Sequence, residues 1–334
     1  MPKVTMQDIA DATGVSRISV WKVFNNSYAV SDALRKKVLD KATELGYEKV
    51  KEMNSETMKD RINIAVVVSR PESSTFWGSI IHSIAGTLSE HDVNLIYTYV
   101  PPYIEDGYEL PEVLKLGMVS GMIIMNVYDE KLLLRLNASP VEKIFLDIPS
   151  SVDPLDLNGD LLLIEGRNSV RAITDHLIDD RHQKVLGFVG DTRYALTNKL
   201  RYEGFVESLR NHGLVFEDRF LMNDPIGITE YRERITGYLD GLESYPDAFV
   251  CVSDFVASYV EEWCLRHHDK LDKPILISGF DGSEEYPLVA GKISTAFVDT
   301  HMIGRLLAMK ILTRVSMPAL PKEVSDIYPE LSLV

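Results

Sequence analysis

Nine short apolar runs constrain the fold of this chain more than any other feature of its sequence. They lie at 62–68, 94–100, 121–127, 143–148, 161–165, 184–190, 248–253, 275–281 and 293–298. Segments with helical periodicity stand between most of them, at 77–90, 168–179, 199–212 and 254–268. Apolar strands that alternate with helices are typical of doubly wound parallel sheets, which are covered on both faces and joined by right-handed crossovers.

This many strands predict two sheets and therefore an α/β body of two lobes. We expect a first lobe near 62–159 and 293–318 and a second lobe near 160–292 and 319–334. Ligands of such sheets bind outside the carboxyl ends of the strands. With two lobes facing each other, that position is the cleft between them, so the sequence predicts a small-molecule site there.

The first 47 residues show a different pattern, that of three short amphipathic helices. Thr5, Ser16 and Ser31 each precede a helical segment and can cap it through a hydroxyl, and Gly14 allows a tight turn between the first two helices. Four residues of the second helix face away from its apolar side: Arg17, Ile18, Trp21 and Lys22. The pattern is typical of a helix-turn-helix, with a generic three-helix cap on a larger domain as the alternative.

Charge is distributed unevenly along the chain, whose formal net charge is -15. Residues 1–61 contain 11 Lys and Arg against 9 Asp and Glu, whereas residues 62–334 contain 24 against 41. A small module that tolerates a polyanion is therefore attached to a body that does not.

Other classes of function find little support. The two cysteines, Cys251 and Cys264, do not have the spacing of metal ligands. A single pair in a chain of this length indicates reduced thiols and not a disulfide framework. GFVGD (187–191) lacks the residues of a phosphate loop, and adjacent residues in His267-His268-Asp269 face different ways. The sequence shows no signal peptide and no apolar run long enough to span a membrane, so we expect a cytoplasmic protein without a membrane partner. It also shows no nucleophile elbow, and we expect no metal, cofactor or catalytic residues.

Motifs run without a gap from Val4 to Tyr47: V-T-x-x-D-I-A, A-x-x-G-V-S, V-x-x-V-F-N-N, V-S, R-K-K-V and E-L-G-Y. Together they resemble the headpiece of the lactose/galactose repressor family of bacterial transcription regulators. The resemblance implies a helix-turn-helix headpiece over 1–47 that reads operator DNA, with Arg17, Ile18 and Lys22 toward base edges in the major groove. It also implies phosphate contacts by Thr5, Ser16, Asn25 and Ser31.

Two adjacent positions of the second helix depart from the family. The family usually has Ser-Arg where this chain has Trp21-Lys22. Trp21 either packs against a sugar edge of the DNA or shields the helix.

The body resembles the periplasmic-binding-protein-like sensor domain of the same family. Its motifs include FWGSII (76–81), IFLD (144–147), LRYEGF (200–205), SDFVASYV (253–260) and GFDG (279–282). The effector-binding residues that the resemblance and the strand ends indicate are Phe76, Trp77, Asp147, Arg201, Asp254 and Asp281. Carboxylates, an arginine and flat aromatic faces suit a polyhydroxylated ligand, so we expect a sugar or sugar phosphate.

Simpler roles remain open for three of these residues. Asp254 can be a helix cap, Phe76 a core residue and Arg201 one end of a surface ion pair.

The favoured function is a DNA-binding regulator, most simply a repressor of carbohydrate-metabolism genes, whose operator affinity is set by an effector bound between the lobes. The alternative is a sugar-binding protein without a DNA role, or an enzyme built on the same body. A single headpiece reads only half of a two-fold operator, so we expect a homodimer.

Residues 48–61, EKVKEMNSETMKDR, are the predicted linker. Family members usually have a short hinge helix here, with a leucine that enters the minor groove and kinks the DNA. Glu56 stands in the place of that leucine, so we expect a mobile linker that contacts the DNA backbone through Lys49, Lys51, Lys59 and Arg61. The rival hypothesis is that Met53 or Met58 acts as the wedge.

Overall fold

The structure is a computed structural model of the 334-residue chain, and it falls into two compact units, residues 1–61 and 62–334. It describes residues 4–24, 31–47, 62–69, 75–115, 118–224 and 230–334. Asn25 and the predicted linker 48–61 lie outside the described residues.

The first unit contains the three predicted helices, α1 (Met6–Thr13), α2 (Arg17–Phe24) and α3 (Asp32–Leu45). Thr5 and Asp8 form a reciprocal capping box at the start of α1, with Thr5 N 2.7 Å from the Asp8 carboxylate. Gly14 ends α1 at a φ of 70°, a left-handed conformation that glycine adopts without steric cost. The small core consists of Ile9, Ala10, Val20, Val23, Val38 and Ala42.

The strands of the body are, in chain order, β1 (Asn63–Val68), β2 (Asn94–Tyr99), β3 (Gly121–Met125), β4 (Glu142–Leu146), β5 (Asp160–Ile164), β6 (Leu186–Val189), β7 (Leu221–Met222), β8 (Ala248–Cys251), β9 (Leu276–Ser278), β10 (Thr295–Phe297), β11 (Val324–Ile327) and β12 (Glu330–Ser332). Its helices are α4 (Thr75–Glu90), α5 (Glu112–Lys115), α6 (Glu130–Asn137), α7 (Arg167–Asp179), α8 (Leu196–Asn211), α9 (Tyr231–Asp240), α10 (Asp254–Arg266) and α11 (Thr300–Ser316).

The strands form two parallel sheets, as predicted. The first lobe has the order β11-β5-β4-β3-β1-β2, and the second has the order β7-β6-β8-β9. Strands β10 and β12 pair with each other in antiparallel fashion. Each of the nine apolar runs contains a strand, which confirms the predicted fold class.

Both faces of the first sheet are covered. Ile64, Val66 and Val68 of β1 lie in one apolar cluster with Ile80 and Ile84 of α4. The intervening Ala65 and Val67 lie in a second cluster with Leu132 and Leu133 of α6. Because successive side chains of a strand point to opposite faces, a run that is apolar throughout buries both.

Strand pairing differs from the predicted lobe boundaries. The second lobe was expected to begin at residue 160, but β5 pairs with β4 in the first sheet, and β11 extends that sheet beside β5. In the segment 293–318, β10 bridges to the second lobe at Ser278–Ser294 and Asp281–Phe297, whereas α11 packs on α4 of the first lobe. An apolar run shows that a strand is buried but not which neighbour it pairs with.

Two helix pairs pack closely at glycines. A Cβ at Gly204 of α8 would lie 2.0 Å from the Arg167 carbonyl oxygen of α7, and one at Gly304 of α11 would lie 2.5 Å from the Ile80 carbonyl oxygen of α4. Any side chain at either position would force the helices apart.

A buried ion cluster fixes the amino ends of β4 and β5. Arg314 of α11 is 6% exposed, and its guanidinium donates to Asp160 Oδ1 at 2.7 Å and to Glu142 Oε2 at 3.0 Å. Asp160 Oδ1 also accepts from the backbone N of Glu323, just before β11. The cluster therefore joins α11, two strands and the segment that leads to the edge strand.

We expect Arg314→Ala to lower the free energy of unfolding by about 3–5 kcal/mol, because it leaves the buried Asp160 and the partly buried Glu142 without their counter-charge. The matched control is Arg305→Ala on the exposed side of the same helix, with an expected change within about 0.5 kcal/mol. Urea unfolding of the full chain measures both, and equal losses would show that the cluster contributes no more than a surface arginine.

Candidate functional site

The outer face of α2 carries large apolar side chains beside two cations. Ile18 is 67% exposed and Trp21 53% exposed, while Val20 and Val23 of the same helix are fully buried. Arg17 is exposed on this face, and Lys22 is half-buried. Arginine suits the acceptors of guanine, and an exposed isoleucine suits a thymine methyl group, so the face has the chemistry of a major-groove reader.

The three predicted phosphate contacts that the structure describes stand at helix starts. Ser16 Oγ accepts from Ser19 N at 3.1 Å, and Ser31 Oγ accepts from Leu34 N at 3.4 Å. Thr5 caps α1 in the same way. The amino ends of helices favour anions, which is compatible with phosphate contacts there.

A cavity of about 400 Å³ lies between the two lobes of the body, at the carboxyl ends of strands from both sheets. Five of the six predicted effector-binding residues line it: Phe76, Trp77, Asp147, Arg201 and Asp281. The position of the cavity is the one that the strand pattern indicates.

Aromatic side chains form much of the wall. Phe76 and Trp77 meet edge to face with ring centroids 5.2 Å apart, and Tyr128 and Tyr194 lie 4.3 Å apart. Further aromatic lining residues are Tyr231, Phe255 and Tyr286. Apart from Phe76 and Trp77, sequence reasoning missed these residues, because a single aromatic residue in a loop or in the first turn of a helix carries no periodic signal.

Arg201 is buried in this wall and is not part of a surface ion pair. The side chain is 6% exposed, its Nη1 donates to the Val252 carbonyl oxygen at 2.5 Å, and its guanidinium carbon lies 3.6 Å from the centroid of the Phe280 ring. Nη2 is 3.8 Å from Asp281 Oδ1. Nε has no hydrogen-bond partner among the described residues.

Asp281 presents a carboxylate to the cavity. No described residue donates a hydrogen bond to this carboxylate, which faces Arg201 at a distance too long for one. Burial raises the pKa of Asp281 to about 7, because it outweighs the attraction of Arg201.

Asn126 is a second group with unmet hydrogen-bonding capacity, and sequence reasoning missed it. It follows β3 directly, is 3% exposed and lines the cavity. Its Nδ2 has no partner in the described part of the chain. Its position just after an apolar strand, like that of Asp147 after β4, was the available signal.

Asp147 joins the two lobes. Its carboxylate accepts from Thr197 Oγ1 at 2.6 Å, Thr197 N at 3.2 Å, Ile148 N at 2.9 Å and Tyr128 Oη at 3.1 Å. Thr197 lies in the first turn of α8, so a residue of the first lobe caps a helix of the second. Burial raises the pKa of Asp147, and these hydrogen bonds oppose that rise.

Glu285 makes a similar connection in the opposite direction. From the loop after β9 it accepts hydrogen bonds from Thr75 N at 3.0 Å and Thr75 Oγ1 at 2.8 Å. Thr75 begins α4, the helix of the first lobe that carries Phe76 and Trp77.

Asp254, the sixth predicted effector ligand, does not line the cavity. Its carboxylate accepts from Ser283 N at 2.7 Å and Thr295 Oγ1 at 2.8 Å, and so it fixes the loop after β9. The cap of α10 is the preceding residue, Ser253, which does line the cavity. The strand-to-helix junction was correctly located, but the residue type alone did not show which of two neighbours faces the ligand.

Within the described residues, no group of three or more His, Cys, Asp or Glu could hold a metal ion, and no helix is long and apolar enough to cross a membrane.

Comparison with known proteins identifies both units. Residues 5–49 match the bacterial regulatory proteins of the lacI family, and residues 174–333 match a periplasmic binding protein-like domain. The chain therefore combines a lacI-family DNA-binding region with a periplasmic binding protein-like domain. It is a DNA-binding transcriptional regulator, and its relatives are regulators and not enzymes.

Similar proteins share this architecture along nearly the whole chain. The repressor PurR of Mannheimia succiniciproducens is 22% identical over 331 residues, covering 98% of this chain and 96% of the relative. The lac repressor dimer bound to operator and the anti-inducer ONPF superposes with a TM-score of 0.68 at 18% identity, over 99% of this chain and 98% of that one. The complex of the regulator CelR with cellobiose gives 0.67 at 18% identity over 99% of each chain.

We expect the stability of the chain to fall as pH rises from about 4 to about 7, through the carboxyl of Asp281. The pKa of this carboxyl is about 7 in the folded chain and 3.8 for an aspartate in water, so the unfolded chain ionises first and is favoured across this window. Below the window both states hold the proton. Asp281→Asn should remove this contribution.

Urea unfolding at about pH 5 and about pH 8 tests the expectation. The stability of Asp281→Asn relative to the natural chain should be greater at the higher pH by about 2 kcal/mol. A difference that is the same at both values would contradict a raised pKa for Asp281.

Proposed function

We propose that this regulator is a homodimeric repressor that binds operator DNA through α2, and that a sugar or sugar phosphate bound in the inter-lobe cavity sets its operator affinity. The genes that it controls then serve carbohydrate metabolism. The observation that carries the proposal is the cavity between aromatic walls, in which Asn126 Nδ2 has no hydrogen-bond partner among the described residues and the Asp281 carboxylate faces only Arg201, at 3.8 Å.

The face of α2 supports the DNA part of the proposal. Arg17 can make two hydrogen bonds to guanine, and Lys22 can reach the same groove. Ile18 adds apolar contact with a thymine methyl group. For Trp21 both alternatives from the sequence analysis stay open: its ring contacts a sugar edge of the DNA, or it shields the helix.

Two-fold symmetry follows from the way such a headpiece reads DNA. One recognition helix covers about half a site, so a palindromic operator requires two headpieces. The solved lac repressor, which has the same fold, is a dimer on its operator. Light scattering of the purified chain should give the mass of a dimer, and a stable monomer or tetramer would contradict the proposal.

The cavity supports a hydroxyl-rich effector. A volume of about 400 Å³ lies in the usual range for small-molecule sites. Sugar hydroxyls both donate and accept hydrogen bonds, as Asp281 and Asn126 require, while the apolar faces of a sugar ring pack on aromatic rings. CelR, with the same fold, was solved with cellobiose.

Ligand binding between the lobes can act on DNA binding by a shift in population. A ligand that contacts both lobes favours the arrangement in which both sets of contacts are made. If that arrangement of the lobes differs from the one that binds operator DNA best, ligand binding in the cavity changes the free energy of operator binding.

We expect Arg17→Ala to weaken binding of duplexes selected from a random pool by the full chain, by about 1–3 kcal/mol, because a base contact is lost. Binding to scrambled duplexes should change far less. The matched control is Lys37→Ala on the exposed side of α3, which should weaken both kinds of duplex alike. Fluorescence anisotropy measures all four affinities, and a uniform loss for Arg17→Ala would exclude base reading by this residue.

A thermal-shift screen of sugars and sugar phosphates tests the effector. Any ligand found should change operator affinity by roughly 5–150-fold in the natural chain. Asn126→Ala should weaken that response, and Arg305→Ala should leave it intact. A ligand that binds in the cavity without any effect on operator affinity would overturn the proposed regulation.

A further inference from the structure

We propose that the cavity accepts an uncharged, hydroxyl-rich ligand and rejects the phosphorylated or carboxylated form of the same molecule. The inference rests on the proposed function, since it concerns the same cavity, and it narrows the effector class from sugar or sugar phosphate to unphosphorylated sugar.

Two of the helix starts at the cavity, those of α8 and α4, are already occupied by carboxylates of the protein. Amino ends of helices that follow parallel strands are the common phosphate sites of such folds. Here Asp147 takes both the amide and the hydroxyl of Thr197 at the start of α8. Glu285 takes the corresponding pair of Thr75 at the start of α4. A ligand phosphate at either position would have to displace a carboxylate.

Two further helices that start at this edge of the sheets, α7 and α10, are closed in the same way. Glu165 accepts from Asn168 N at 2.6 Å and from Ser169 N at 3.0 Å in the first turn of α7. Ser253 caps α10, and Asp254 adds a negative charge to its first turn.

Helix α9, which brings Tyr231 to the cavity, has no side-chain cap, but Glu230 precedes it and Glu233 lies in its first turn. Because a carboxylate already balances the positive end of each helix dipole, none of these five helix starts attracts a further anion.

The charged side chains of the cavity disfavour an anion as well. Among the described lining residues, one cation, Arg201, stands against three carboxylates, those of Asp147, Asp281 and Glu285. Strong phosphate binding by arginine uses two parallel N–H donors. Arg201 gives Nη1 to the Val252 carbonyl, lays its face on Phe280 and directs Nη2 toward Asp281. Its unpartnered Nε is fully buried beside Gly166, so the guanidinium presents no accessible pair of donors to a phosphate.

The groups that still lack partners suit a hydroxyl better than a phosphate. The Asp281 carboxylate accepts, and the buried Asn126 Nδ2 donates. A ligand hydroxyl can donate to the first, and a second hydroxyl can accept from the other. The oxygens of a phosphate dianion only accept hydrogen bonds. Above the pKa of Asp281, which is about 7, a phosphate near this carboxylate therefore meets like charge without a compensating bond.

Matched pairs of ligands test the inference on the full-length chain. Isothermal calorimetry is run at about pH 8, above the pKa of Asp281, so that its carboxylate is charged. The ligands are glucose, galactose, fructose and ribose, each beside its terminal monophosphate, and inorganic phosphate and sulfate at constant ionic strength. For any sugar that binds, we expect its monophosphate to bind at least tenfold more weakly. Inorganic phosphate and sulfate should give no saturable heat.

A charge variant tests the cause. Asp281→Asn removes a negative charge at nearly constant volume, so it should reduce the discrimination between a sugar and its monophosphate severalfold. The control is Glu243→Gln, an exposed position outside the cavity lining, which should leave the discrimination unchanged. Far-ultraviolet circular dichroism confirms that each variant is folded.

The outcomes separate this inference from the proposed function. A monophosphate that binds more tightly than its sugar would retain a sugar-class effector and overturn the inference. If no sugar binds and inorganic phosphate gives no saturable heat, the proposal of a sugar effector is contradicted. The inference that the cavity rejects phosphate is then supported. Saturable phosphate binding that Asn126→Ala abolishes would overturn the inference whatever the sugars do.

Discussion

The hydrogen bonds between Asp147 and Thr197 are the contact on which the candidate site depends. They join the carboxyl end of β4 in the first lobe to the first turn of α8 in the second. Helix α8 carries Arg201, so the same contact sets where the guanidinium lies against Phe280 and Asp281. The neighbouring backbone continues the junction, since Ser150 N donates to the Tyr194 carbonyl and Leu196 N donates to the Ile148 carbonyl. The cavity therefore takes its shape from a connection between lobes.

The residues that end the strands are under backbone constraint. Asn126, Asp147 and Asp281 all have positive φ, at 57°, 63° and 105°. Asparagine and aspartate tolerate this region better than other residues that carry a Cβ, which accounts for their presence at these turns. The conformation turns each side chain toward the cavity immediately after its strand. Local strain of this kind commonly accompanies binding sites, because it fixes polar groups before the ligand arrives.

Much of this architecture can be predicted from the sequence, for a physical reason. A strand buried on both faces leaves a continuous apolar run, and all nine such runs contain strands. Strands β11 and β12 were missed because their residues are largely exposed, and β7 has only two residues. Asp147 and Asp281 could be expected at the site because they end apolar strands. The sequence could not show that Asp254 lies outside the cavity lining, because its hydrogen-bond partners Ser283 and Thr295 come from distant parts of the chain.

The distance between the lobes is the most direct test of the claim that carboxylate caps hold them together around the cavity. Spin labels at Ser89→Cys and Glu243→Cys report this distance by pulsed electron paramagnetic resonance, and the native Cys251 and Cys264 are 0% and 9% exposed and so should not react. The account predicts one narrow distribution in the otherwise natural chain. With Thr197→Val and Glu285→Ala added, it predicts a longer and broader distribution. An unchanged distribution in that variant would contradict the central role of these contacts.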